Sequence, residues 1–150
     1  MSNIKLNSVF KTVCIASDHA GFYLKEVIKN HLINKNISIF DVGPYEKHSV
    51  DYPDYAKKLG NRIKLKKSNV GILVCGSGTG MAISANKIKT IRAAVCYNLK
   101  STRLSRQHNN ANIIALGARF TNKKLSLKLV ETFLKTKFEG GRHLRRVKKI

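Results

Sequence analysis

Short runs of β-branched and aliphatic residues alternate along this chain with longer segments whose apolar positions recur every three or four residues, and the alternation repeats five times. The runs are Thr12 to Ala16, Ile37 to Val42, Val70 to Cys75, Arg92 to Cys96 and Asn112 to Leu116. Each is nearly continuous in apolar character, as parallel strands are when helices cover both faces of their sheet. After the first run, Leu24, Val27, Ile28 and Leu32 fall on one helical face; after the fifth, Leu125, Leu129, Val130 and Phe133 do the same behind Thr121, a candidate N-cap. Ala56, Leu59 and Ile63 form a shorter stripe. There is no internal repeat or low-complexity linker, and proline occurs only at Pro44 and Pro53. The pattern predicts the α/β class: a three-layer α/β/α sandwich on a Rossmann-like parallel sheet of about five strands. One domain is expected over residues 12–150, ending in a helical tail, with an N-terminal extension over residues 1–11.

Composition narrows the picture. With 150 residues, 43% hydrophobic and 25% charged, the chain can bury a core, which excludes wholesale disorder and fibrous classes. The sign of the charge is unusual, since 29 Lys plus Arg against 8 Asp plus Glu give a net +21. A surplus of that size suits a phosphate-rich partner, because clustered cations release counterions. Here, however, the Lys residues are scattered, with no run of five like charges, and Ile and Asn are abundant beside them, so the surplus reads first as a composition bias. Trp is absent and no helix-turn-helix or RNA-recognition signature is present, so no specific nucleic-acid partner is expected. No apolar run approaches the ~20 residues of a membrane span, and Val13 to Ala16 is too short for a secretory segment. Three cysteines, Cys14, Cys75 and Cys96, without C-x-x-C spacing, point to a reduced, cytoplasmic compartment and to neither a disulfide framework nor a zinc site.

Ligands of such sheets bind beyond the carboxyl ends of the strands, so the residues just after each run are the candidates for chemistry. After the third run stands Gly76-Ser77-Gly78-Thr79-Gly80, whose glycines at alternate positions let backbone N–H groups converge on an anion. It is neither a Walker A loop nor a dinucleotide fingerprint, and a tight turn without a ligand remains the alternative. From Tyr55 to Val130 there is no Asp or Glu, so any general base from that half must be Cys, His, Lys or Tyr. Cys75 meets the loop directly; a thiol pKa of about 8.5 can fall to about 3.5 to 7.5 in such a setting, and a thiolate there can take a proton from carbon while the amides hold the oxyanion. Cys14 and Cys96 read as buried structural thiols. Asp18-His19 fits either an N-cap with an exposed imidazole or a ligand contact, and His108-Asn109 either a helix end or a site. Arg119, Arg142 and Arg146 are better phosphate candidates than any Lys, because the planar fork binds bidentately. His31, His48 and His143 read as surface residues.

Ser17-Asp18-His19-Ala20-Gly21, Asp51-Tyr52-Pro53, Cys75 to Gly80, Ala85-Asn86-Lys87, Leu104 to Asn109 and Glu139-Gly140-Gly141-Arg142-His143 stand in this order along the chain. Together they resemble the type B ribose-5-phosphate isomerase family, which includes galactose-6-phosphate and allose-phosphate isomerases. The resemblance runs from about Thr12 to Val147. It implies an aldose-ketose isomerase interconverting D-ribose 5-phosphate and D-ribulose 5-phosphate through a cis-enediolate, in the non-oxidative pentose phosphate branch, with no metal and no cofactor. By the same resemblance Cys75 is the base at C2, and Gly76, Gly78, Thr79 and Gly80 belong to the amide pocket for the enediolate oxygens. Ser77 aids proton exchange between O1 and O2, and His108 opens the furanose ring with Asn109 beside it. Asp18, His19, Arg119, Arg142 and Arg146 contact sugar and phosphate. A branch of the family carries a Glu just after the loop; Met81 stands there, so the Cys branch applies. The resemblance also implies a homodimer or tetramer whose site is completed across subunits by His108 and Asn109. A six-carbon sugar phosphate is the alternative substrate, and a basic nucleic-acid module the remote one.

Overall fold

The structure, a computed structural model, describes residues 5–150. Five strands alternate with helices: β1 (Val13–Ser17), α1 (Phe22–Asn34), β2 (Ile39–Gly43), α2 (Tyr52–Lys64), β3 (Val70–Cys75), α3 (Thr79–Ala85), β4 (Ala93–Val95), α4 (Leu99–Gln107), β5 (Ile113–Gly117), α5 (Lys123–Lys135) and α6 (Gly141–Val147). The strands form one parallel sheet in the order β2-β1-β3-β5-β4. The α/β sandwich and its strand count agree with the apolar pattern.

Side chains alternate across the sheet and divide the core in two. Val13, Ile15, Val70, Ile72, Val74, Ile114 and Leu116 face one way and pack with Ile28 and Leu32 of α1 and Leu129, Val130 and Phe133 of α5. Cys14, Ala16, Leu73, Cys75, Ile113 and Ala115 face the other way, onto Ala56, Leu59 and Ile63 of α2 and Met81, Ala82 and Ala85 of α3. Both faces are therefore apolar on every central strand, the reason those strands read as continuous runs.

Two expectations change. β4 is shorter than the run Arg92 to Cys96, because it lies at the sheet edge with a single neighbour. The cap of α5 is Asn122, whose side chain accepts from the Leu125 N–H at 2.8 Å. Thr121 is buried and committed elsewhere, its hydroxyl donating to the Gly117 carbonyl at 3.1 Å. Lys25 lies on the buried face of α1, fully enclosed, with its ammonium 2.8 Å from both Glu26 and Asp41. Of the N-terminal extension, residues 1–4 lie outside the described residues. Beyond them Leu6 is buried in the core, and the Val9 N–H donates to the Leu134 carbonyl at 2.8 Å.

Candidate active site

From β1 the chain moves to β2 on one side and returns to β3 on the other. A sheet wound in this way opens a crevice between those neighbours, at their carboxyl ends. A cleft of about 300 Å³ occupies that place, lined by Asp18, His19, Ala20, Tyr52, Cys75, Gly76, Ser77, Gly80 and Arg119. Elements far apart in sequence thus deliver most of the candidates from the strand ends to one pocket, together with Tyr52 from the start of α2.

Each is held by local bonding. Asp18 follows β1 and is buried; its carboxylate accepts the Gly21 N–H at 2.9 Å, closing the turn into α1 as an N-cap would. That bond does not exclude a ligand role, since a carboxylate has further lone pairs. His19 is exposed and accepts the Val50 N–H on Nδ1 at 3.3 Å, which leaves Nε2 to carry the proton of the neutral ring.

Cys75 ends β3 with 4% exposure, and its Sγ accepts the Gly78 N–H at 3.0 Å. Gly78 needs its missing side chain on two counts. Its φ of +80° is costly for other residues, and a Cβ would stand 3.0 Å from the Leu116 carbonyl carbon. The loop is pinned from both sides: the Ala118 N–H donates to the Cys75 carbonyl at 2.8 Å, the Arg119 N–H to the Gly76 carbonyl at 3.0 Å, and the Tyr97 hydroxyl to the Ser77 carbonyl at 2.9 Å. The Arg119 guanidinium packs so closely over Gly76 that a Cβ there would lie 3.0 Å from Cζ. A thiol beside inward backbone donors, with a guanidinium at the rim, can exchange a proton with a bound molecule and hold the negative charge that develops. Thr79, which opens α3, is exposed and gives its N–H to Ser77 Oγ at 3.3 Å. Cys14 and Cys96 lie in the interior as expected; burial pushes the Cys14 thiol up to about 11 and raises that of Cys96.

The remaining candidates are elsewhere. In register Cys75 pairs with Gly117 and Gly71 with Ile113, so β5 begins at the amino edge of the sheet and ends beside Cys75. Helix α4 runs back between those edges, and His108, its C-cap, therefore sits at the amino edge, as does Asn109. Helix α5 makes the same return, which brings the next segment alongside: the Glu139 N–H donates to the Gln107 carbonyl at 3.1 Å, and Arg106 Nε to the Thr136 carbonyl at 3.1 Å. Arg142 and Arg146 share helix α6 there. One chain thus carries its candidate residues in two groups at opposite edges of its sheet.

His143 is not a surface residue. It is buried and stacks on His108 with ring centroids 4.2 Å apart and planes 10° from parallel, while Glu139 lies 3.8 Å from His108 Nε2 and 3.7 Å from His143 Nε2. Burial, then the charges of His108, Arg142 and Arg146, lower its pKa against the opposing pull of Glu139. His31 is also partly covered, its Nε2 2.8 Å from Glu131, whereas His48 is exposed. Sequence reasoning placed neither Tyr52 nor His143 in a site, although both stand in the motifs that carry the resemblance.

A doubly wound parallel sheet with a thiol, a glycine loop and an arginine at its switch point defines an α/β protein built to hold a small anion. The chain belongs to the ribose/galactose isomerase family, whose model matches residues 13–150. It is 39% identical over 140 residues to ribose-5-phosphate isomerase B of Escherichia coli, covering 93% of this chain and 94% of that one. The solved ribose 5-phosphate isomerase of Thermotoga maritima superposes with a TM-score of 0.90 at 51% identity, covering 92% of this chain and 95% of that one. The Mycoplasma genitalium ribose-5-phosphate isomerase B structure, which holds ribulose-5-phosphate, gives a TM-score of 0.88 at 42% identity, with 92% of each chain covered.

Proposed function

We propose that the chain is a ribose-5-phosphate isomerase that moves a proton between C1 and C2 of the open-chain sugar through a cis-enediolate. The observation that carries this reading is the Cys75 thiol set against the Gly78 amide, 3.0 Å away, in a cleft that also holds Asp18, His19 and Arg119. The Cys75 thiolate takes the proton from C2 of the aldose. The C2–H electron pair enters the C1–C2 bond, and the charge passes to O1, where the amides of Gly76, Gly78, Thr79 and Gly80 receive it. The Ser77 hydroxyl passes a proton from O2 to O1, and Cys75 returns its proton to C1, which gives the ketose. His108, with Asn109, opens the furanose ring of the substrate. Asp18 and His19 contact the sugar, and Arg119, Arg142 and Arg146 bind its phosphate bidentately. No metal or cofactor takes part in these steps.

The opposite placement of the half-sites supports a homodimer, in which one subunit supplies the Cys75 cleft and its partner supplies His108, Asn109, Arg142 and Arg146. Apolar side chains exposed near β4, Ile83, Tyr97, Leu99 and Ile150, favour the same arrangement. Three free thiols suit a reducing compartment, and we place the enzyme in the cytoplasm.

The test is turnover of ribose 5-phosphate by the purified full chain, with and without EDTA. Activity resistant to EDTA, and about 10²- to 10⁴-fold lower in Cys75→Ala, is the expected result. Faster turnover of galactose 6-phosphate or allose 6-phosphate would overturn the pentose assignment, and a near-normal rate in Cys75→Ala would remove the thiol from the base role.

A further inference from the structure

The His108 half-site contains two groups to which the proposed mechanism gives no task. His143 offers a flat ring parallel to that of His108 at 4.2 Å, and the Glu139 carboxylate sits against the Nε2 edges of both rings. Stacked at 10°, the two imidazoles keep their lone pairs in nearly parallel planes, so one ion could not lie in the plane of both rings, and the trio is arranged to stack and not to chelate. The stack is also anchored. Glu139 N–H to the Gln107 carbonyl and Arg106 Nε to the Thr136 carbonyl, both at 3.1 Å, tie the segment that carries Glu139 and His143 to the end of α4 from which His108 projects. His143 itself keeps only 10% of its side chain exposed, so its ring has little freedom to leave.

We infer that His143 is a positioning residue for ring opening: its stacked ring, with the Glu139 carboxylate at the edge, holds the His108 imidazole in the orientation from which it transfers a proton to the furanose. The inference rests on the assignment of ring opening to His108. An exposed imidazole at a helix end samples several rotamers. One stacked on a buried ring, with a carboxylate 3.8 Å from its edge, is confined to fewer, and misplacement by about 1 Å costs as much as 10²-fold in rate.

Two reactions of the same substrate pair separate this role from a structural one. Ribose 5-phosphate in solution is largely a ring and must be opened. Ribulose 5-phosphate cannot close a furanose, because its C5 oxygen is esterified, so exchange of its C1 proton with D₂O needs Cys75 but no ring opening. The full-length wild type, His143→Ala, His143→Phe and His108→Ala are to be compared in both assays, with exchange followed by NMR. In His143→Ala we expect kcat on ribose 5-phosphate to fall about tenfold, the exchange rate to stay near the wild-type value, and His143→Phe, which keeps a flat ring, to recover the forward rate. Unchanged turnover in His143→Ala overturns the inference, as does a parallel fall in both reactions, the mark of a merely structural role. If His108→Ala itself lowers both reactions equally or neither, the ring-opening assignment fails, a result distinct from failure of His143 alone.

Discussion

Mixing two inactive variants should restore activity. Cys75 and His108 lie at opposite edges of the sheet, separated by roughly 13 Å of strand between Gly71 and Cys75 at ~3.3 Å per residue. No side chain spans that gap, so the proposed homodimer would complete each site with Cys75 from one subunit and His108 from the other. Cys75→Ala and His108→Ala each disable both sites of a homodimer, by about 10²- to 10⁴-fold for loss of an acid/base group. When the two variants are unfolded together in equal amounts and refolded, random pairing makes half of the dimers mixed. Each mixed dimer then has a site in which the Cys75 of one chain meets the His108 of the other, and a second site that lacks both. The expected rate is therefore about one quarter of wild type, against roughly 1% or less for either variant alone, if association is isologous. The assay is turnover of ribose 5-phosphate, with light scattering to follow assembly and each variant refolded alone as the control. A mixture that assembles yet stays at the level of its parents would refute the shared site, and so would a fully active monomer.

Other consequences arise in the interior. Asp41→Ala removes the main partner of the fully buried Lys25, leaving Glu26, so urea unfolding should show a loss of about 3 kcal/mol, the lower end for broken buried pairs. Burial raises the Asp41 pKa, but the hydrogen bonds from Lys25 and Lys29 outweigh it and the net shift is downward. Its contribution is thus complete above the ordinary carboxyl value of about 3.9 and disappears as pH falls through the lower folded value; the stabilities of wild type and Asp41→Ala should converge there in an acid titration. Gly78→Ala, at φ +80° and with little room for a Cβ, should cost about 1–2 kcal/mol and lower kcat more than it alters KM, because it displaces the amide that meets Cys75; urea unfolding and steady-state kinetics read the two effects. With its thiol pushed up to about 11 by burial, Cys14 should resist alkylation near pH 8 in the native protein, and Cys96 with it, both reacting once the chain is unfolded; mass spectrometry reads the sites.

Agreement between sequence and structure tracked the strength of the local signal. β3 occupies the residues its apolar run marks, and α2 buries the three residues of its stripe, because a strand or helix covered by neighbours must be apolar where it is covered. The glycine loop was equally legible, since its backbone approaches a neighbouring strand more closely than a side chain at Gly78 would allow. Errors arose where a distant residue decided the outcome. Thr121 has the chemistry of a cap, but the Gly117 carbonyl and the Ser126 hydroxyl take its hydrogen bonds and Asn122 caps instead. The burial of Lys25 likewise depends on Asp41, brought across from β2. Flanked by Arg142 and Leu144 on a short basic helix, His143 gives no sign of burial until the return of α5 sets that helix beside the end of α4.

Periodicity, glycine spacing and the order of the motifs determined by themselves the layered fold, the thiol and its amide loop, and the class of chemistry, because each is a property of residues close together in the chain. Tertiary structure alone decided which edge of the sheet each candidate reaches. A helix that returns across a parallel sheet carries the segment after it to the opposite end, so residues that the proposed reaction would need together are held apart in a single chain, and the distance between them is a property of the path and not of any local sequence.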